Sequence, residues 1–382
     1  MDPRNVTEEL YGRLKRGGFR GFDPYDGLGS RVFRMSPFFR SKTCRLVWIQ
    51  LFKRSPVNLR PAALVPKGRN PKGLALVIRG LADLYRLEGD RARLEDAYDL
   101  AGIILSQRAA GREYFCAGYD FFWQAKAFPV PEFTPNMVVS TFAGHAFLDL
   151  YGIDGDRRWL EYALGVGRFI EGELTIFESD DAALFGYVPG ESAVVHNVNL
   201  MGSAFLARLF SVTGEEGYAK RAVKAAAYTL RAQRSDGAWE YGERAHHRWV
   251  DNFHTGFNLV SLDTARRCLS TDRFDDAIER GLEYHRRNHF LEDMTPKYYD
   301  TSLYPVDIHN FAQGIVTFLT FGRPEEARKL LERAIETMWD GKRHYFYYQK
   351  TRLYTNRIDY LRWSQAWMFH ALARFASSGK TG

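Results

Sequence analysis

Apolar positions along this chain recur at helical spacing in runs that pair two by two across a short polar turn. The unit reads LVIRGLADLYRLEGDRARLEDAYDLAGIIL from Leu76 and returns from Thr141, Asn199, Asn258 and Gly314. The turns carry Gly89, Gly155, Gly214 and Gly322, with Ser270-Thr271 in the fourth copy. A glycine there fits the left-handed residue that ends a helix, the acid after it favours the next helix start, and Pro324 fits a first helical turn. Such a hairpin cannot bury its apolar face alone, so repeats of this kind close against one another. A sixth first-type helix is expected from about Tyr360, and VTEELYGRLKR is the unpaired helical stretch left for it. The pattern therefore predicts an all-α fold, a six-hairpin (α/α)6 toroid of residues 1–382 as a single domain, closed by Val6–Arg16 packing beside Tyr360–Phe375.

A chain of 382 residues, 45% hydrophobic and 15% aromatic, can fill the core of such a ring. The apolar stretch RLVWIQLF stops at Lys53-Arg54, far short of the ~20 residues of a membrane span. The opening MDPRNVTEEL is too polar for a secretory leader, and the cysteines Cys44, Cys116 and Cys268 are scattered and odd in number. These features point to a cytoplasmic protein without a disulfide framework. The net charge of +7 favours an anionic partner, but no nucleic-acid motif accompanies it.

Chemistry is expected where the hairpins join. Residues 17–69, 111–135 and 234–250 are long connections rich in Gly, Pro and aromatics, read as strings of turns, and in a toroid they gather at one mouth. The first-type helices open there on polar residues: His196, Asn197 and Asn199; Asp251, Asn252 and His254; Asp307 and His309; Arg362 and Trp363. Asp or Asn at a helix start is ordinarily a cap and a lone His ordinarily a core residue, yet four such openings converge. With Trp239, Tyr241, Tyr299 and Tyr304 they suit sugar, whose hydroxyls take amides and acids and whose C–H faces stack on rings.

The HNVNLMG opening, QRSDGAWEYG running into WVDNFHTGFNLVSL, YPVDIHNFAQGIVTF and YLRWSQAWM resemble the six-hairpin glycosidase superfamily, and more narrowly proteins of bacterial and archaeal polysaccharide-biosynthesis clusters. The resemblance implies carbohydrate work on an (α/α)6 scaffold. From the residues themselves, hydrolysis of an acidic oligo- or polysaccharide would use Asp251 and Asp307 as the paired carboxyls, with Glu240 and Asp26 as substitutes. A uronate lyase or C5-epimerase would use His254, His309, Tyr299 and Tyr304 for protons, with Arg362 and Asn252 on the carboxylate. A glycan-binding assembly protein without catalysis is the third reading. His196, Asn197, Asn199, Trp239, Tyr241 and Trp363 are expected to hold sugar in each case. No cofactor or metal is expected: His285 and His289 share a helix, but on a face read as solvated and without a third ligand.

Overall fold

The molecule is described by a computed structural model covering residues 2–124 and 129–379; residues 125–128, within the predicted 111–135 connection, lie outside the described residues. Fourteen α-helices follow in chain order among the described residues: α1 (Pro3–Arg16), α2 (Arg31–Met35), α3 (Lys42–Arg54), α4 (Pro71–Glu88), α5 (Arg91–Ser106), α6 (Met137–Asp154), α7 (Arg157–Phe169), α8 (His196–Thr213), α9 (Glu216–Arg231), α10 (Asn252–Cys268), α11 (Asp275–His289), α12 (Ile308–Thr320), α13 (Pro324–Met338) and α14 (Ala366–Ser378). Helices α4, α6, α8, α10, α12 and α14 touch in that order, and α14 returns to α4, closing an inner ring. The outer partners are α5, α7, α9, α11 and α13, and α1 lies on α14, where Tyr11 stacks on Phe369 with ring centroids 5.7 Å apart. The expected (α/α)6 toroid, closed by the two ends of the chain, is the fold.

Gly89, Gly155 and Gly214 end α4, α6 and α8 with φ of 73, 71 and 74°, and each donates its amide to the carbonyl four residues back. A side chain would be strained in that left-handed conformation. The inner helices are buried along most of their length, and their hydrophobic positions join one continuous core from Val6 to Ala373.

Residues 17–69 depart from the expected string of turns. Ser41 caps α3 through the amide of Cys44, and the following thirteen residues contain neither Gly nor Pro, so RLVWIQLF forms a helix that ends at Ser55-Pro56. With α2 it builds a small satellite core of Leu28, Phe33 and Ile49, in which Phe33 stacks on Trp48 at 4.5 Å. His285 and His289 also depart from expectation: both are fully buried, not solvated. Asn252 draws them in, facing His285 Nε2 at 2.9 Å and donating to the His289 carbonyl at 3.0 Å.

The ring depends on a close approach at its seam. A β-carbon on Gly80 of α4 would sit 2.9 Å from Phe369 Cε1 of α14, whereas one on Gly102, exposed on α5, would meet nothing within 4 Å. Alanine is the better helix former at both sites by roughly 1 kcal/mol. Gly102→Ala should therefore raise the urea midpoint, and Gly80→Ala should lower it because overpacking there, about 1–3 kcal/mol, outweighs propensity. A stabilised Gly80→Ala would show that the seam has slack.

Candidate functional site

The six inner helices start at one end of the ring, and the long connections fold over that end. Together they enclose a cavity of about 560 Å³. The connection 17–69 supplies Tyr25 and Lys53, the connection 111–135 supplies Tyr119 and Trp123, and the connection 234–250 supplies Tyr241, Arg244 and Trp249. A second cavity of about 630 Å³ occupies the opposite end, walled by Arg79, Arg208, Arg267 and Arg374. Met201 and Phe257 border both and form part of the partition.

Helix α10 begins with Asp251, which caps it by accepting from the His254 amide at 3.1 Å. The same carboxylate meets His254 Nδ1 at 2.8 and 3.0 Å. An imidazole that donates Nδ1–H to a carboxylate keeps its Nε2 lone pair for chemistry, and Asp251 is placed to steady the imidazolium that results from taking a proton. Tyr241, 4.7 Å from the His254 ring, stacks on Trp249 at 4.3 Å, so the imidazole sits against a flat aromatic wall.

His309, on the neighbouring helix α12, stands in a different environment. Its ring lies between Phe253 at 4.8 Å, Trp363 at 4.7 Å and Trp367 at 4.7 Å, and neither ring nitrogen has a hydrogen-bond partner among the described residues. Burial, and then the positive charges of Lys72 and Arg362, hold its pKa well below the usual histidine value, so it is neutral at pH 7. Phe253 touches both imidazoles, with the His254 ring 4.1 Å away, so one aromatic ring separates a carboxylate-backed histidine from one without a hydrogen-bond partner among the described residues.

Lys72, on the first turn of α4, was not evident from sequence. Its ammonium lies over Phe142 at 4.5 Å and over Phe257 and Trp367 at 5.4 Å, with no carboxylate within ion-pair distance among the described residues. Burial, then Arg362, pushes its pKa well down. Pro71-Lys72-Gly73 reads in sequence as an ordinary helix start; only the ring's curvature turns that lysine inward. Arg362 is held by Asp23, its Nε and one terminal nitrogen 2.6 and 2.8 Å from the two carboxylate oxygens, over the Tyr119 ring at 4.9 Å.

Of the residues singled out in the sequence, Asn197, Tyr241, Asp251, His254, Tyr299, His309, Arg362 and Trp363 line this cavity. Others are structural instead. Asp307 is fully buried behind the wall: it caps α12, and its carboxylate accepts from Gln349 Nε2 at 2.5 Å and from the Trp363 indole at 3.1 and 3.2 Å. Asn199 ties α8 to α9 through the Ala225 carbonyl and the Thr229 hydroxyl. Asn252 is consumed by the buried histidines of α11. Trp239 is buried with its indole on the Thr229 carbonyl, wedged beneath Gly281, because Ala238 and Trp239 turn inward to close the hairpin below the mouth. His196 is buried outside the cavity lining, and Tyr304 is out on the surface beside Arg352. Of the substitutes, Asp26 is buried in an ion pair with Arg60, and Glu240 lies in a small recess that adjoins the cavity and shares Asn197, Tyr241, Asp251 and His254 with it.

The carboxylates that line the cavity are thus Asp251, committed to His254, and Glu191, whose Oε1 accepts from its own loop amides and from Arg244. No group of three His, Cys, Asp or Glu among the described residues has the arrangement of a metal site.

No family model and no curated protein matches the sequence. Solved structures do match the fold. Cellobiose 2-epimerase from Bacillus thermoamylovorans aligns with a TM-score of 0.67 at 12% identity, over 82% of this chain and 89% of that one. A D-mannose isomerase aligns with 0.60 at 10% identity, over 82% and 88%. An unsaturated glucuronyl hydrolase specific for heparin aligns with 0.59 at 13% identity, over 83% and 89%. What these structures share with this chain is the fold, an (α/α)6 toroid.

The burial of Asp307 has a measurable signature. Burial pushes its carboxyl from 3.8 up to about 6, so between those values the folded chain keeps a proton that the unfolded chain has lost. Its contribution to stability is therefore highest below about pH 4, declines as pH rises to about 6, and then levels. Urea midpoints measured from pH 4 to 8 should show that decline in the parent and a flatter profile in Asp307→Asn. Parallel profiles would mean that the carboxyl is ionised throughout.

Proposed function

We propose that this protein is a carbohydrate-active enzyme that moves a proton on the carbon beside a sugar carbonyl, as an epimerase or isomerase, with His254 as the acid–base group and neutral His309 as hydrogen-bond donor to the carbonyl oxygen. The observation that carries this reading is the two imidazoles in unlike environments on one aromatic wall, in a cavity whose lining carboxylates among the described residues, Asp251 and Glu191, are already engaged by His254 and by Arg244 with loop amides. His254, backed by Asp251, takes the proton at Nε2. Neutral His309 carries an N–H with which to hydrogen-bond the substrate's carbonyl oxygen, Lys72 and Arg362 stabilise negative charge developing on that oxygen, and the His254 imidazolium returns a proton to carbon, its own or one exchanged with solvent. Tyr241, Trp249 and Trp363 offer flat faces to the ring or chain of the sugar.

The likeness to a cellobiose 2-epimerase and a D-mannose isomerase supports the same class of reaction on the same scaffold. Lys53 and Lys72 favour a substrate bearing a carboxylate or another anionic group, which keeps uronates within reach. Hydrolysis by Asp251 and Asp307 is the weaker reading, because Asp307 would have to release Gln349 and Trp363 to reach a glycosidic bond. The three cysteines, all free, fit a reducing compartment.

The test is exchange. Incubation with neutral and acidic aldoses and with oligosaccharides in D₂O should place deuterium on the carbon beside the carbonyl, read by proton NMR. His254→Gln and His309→Gln should each slow that exchange by about 10² to 10⁴, the range for loss of a general acid or base, while the melting temperature stays near the parent's. Release of new reducing ends without deuterium uptake would overturn the reading in favour of hydrolysis.

A further inference from the structure

From Gly27 to Ala82 the chain contains no Asp or Glu and twelve Lys or Arg, more than its whole formal net charge of +7. The rest of the chain is therefore net acidic by five. The same stretch holds an unusual share of exposed apolar side chains. Of thirteen large hydrophobics exposed among the described residues, seven fall between Val32 and Leu64, including Met35 at 88%, Phe38 at 62% and Val47 at 64%. These exposures are not scattered. On α3, Val47 and Leu51 are four residues apart on the outward face and border a shallow groove with Arg54 and Pro56, while Leu46, Ile49 and Lys53 of the same helix line the front cavity. Arg31, Arg40, Lys42 and Arg54 are exposed around these side chains and have no carboxylate partner among the described residues.

We infer that this excursion docks on an anionic phospholipid bilayer, with the apolar outer face of α3 and Met35 and Phe38 entering the interface and the free cations meeting lipid phosphates. Both halves of the surface are needed for the assignment. Exposed Met, Phe, Val and Leu side chains lose little by leaving water for an acyl boundary, and a basic amphipathic helix supplies the long-range attraction that holds them there. An acidic polysaccharide would account for the cations but not for the aliphatic stripe. A second copy of the chain would account for the stripe but would bring like charges together. Arg31, Arg40, Lys42 and Arg54 around the apolar side chains give this face a local positive charge that favours an anionic surface. Because α3 walls the front cavity, docking brings the mouth to the membrane, where the anionic substrate would be one carried by or held near lipid.

Sedimentation of the full chain with sonicated vesicles tests this directly. Vesicles of mixed phosphatidylglycerol and phosphatidylcholine should bind it, phosphatidylcholine alone should not, and raising the salt from 50 to 500 mM should release most of it as the Debye length shrinks to a few Å. Neutralising Arg31, Arg40, Lys42 and Arg54 to Gln should weaken partition by roughly fivefold per charge, the weight of ~1 kcal/mol for a basic residue at an anionic surface. Val47→Asp with Leu51→Asp should abolish binding with unchanged circular dichroism and melting temperature, since both side chains face solvent. Failure to bind anionic vesicles overturns the inference. So does retention of binding by the aspartate variant, a dimer in light scattering that this variant dissolves without any vesicle binding, or capture by an acidic polysaccharide in preference to lipid. The deuterium-exchange assay on a soluble sugar is unaffected by these outcomes, so docking and the acid–base reading can fail separately.

Discussion

Six parallel inner helices bring six amino-terminal ends to one mouth, and the amides exposed there have to be met. This constraint shapes the site. Asn70, Asn136, Asp251 and Asp307 each turn a side-chain oxygen back onto the first amides of α4, α6, α10 and α12. Helix α14 solves the problem differently, entering through a wide turn at Leu361–Gln365 that leaves Arg362 and Trp363 directed toward the cavity. With helix dipoles also converging, this end of the ring is a polar pocket before any catalytic demand is placed on it.

Chemistry arises where a cap has capacity to spare. Asp251 and Asp307 look alike in sequence, each opening a first-type helix with a histidine two or three residues on. Their fates differ because of groups far away in the chain. The strand pairing of Asp307 with Gln349, together with the Trp363 indole, occupies the second carboxylate and seals it behind the wall. Tyr299 pairs with the Asp251 backbone, but among the described residues no side chain of another element reaches its carboxylate, so its free capacity goes to the His254 ring. The two histidines then diverge: one is paired with a carboxylate, the other is packed among aromatic rings near cations.

The ring itself was legible in the sequence because its signals are local: a 3.6-residue apolar period, glycines at left-handed turns, acids after them. The convergence of Asp251, His254, His309, Arg362 and Trp363 followed from the ring, since residues at equivalent helix starts must meet. Long-range packing hid the rest. Trp239 looked like a rim aromatic, but Gly281 leaves a slot beneath α11 that its indole fills. Asn199 and Asn252 looked like sugar ligands, but each cross-links an inner helix to its outer partner. Lys72 looked like a routine helix-opening lysine, and α3 like an apolar fragment between turns, because the inward or outward direction of each depends on curvature that no short window contains.

The seam between α1 and α14 sets this ring apart from a barrel of covalently joined hairpins. Five of the six hairpins are closed by a short turn and can pair as soon as their own residues exist. The sixth joins the two ends of the chain, so Tyr11 and Phe369 meet only after a loop of nearly the whole sequence has been drawn closed. The longest-range contacts are gathered where α14 meets α1 and α4, and the helices on either side of that closure wait on the others. A chain opened instead at the Gly155 turn and fused through its present ends would keep every contact of the toroid while moving this slow closure to a different hairpin.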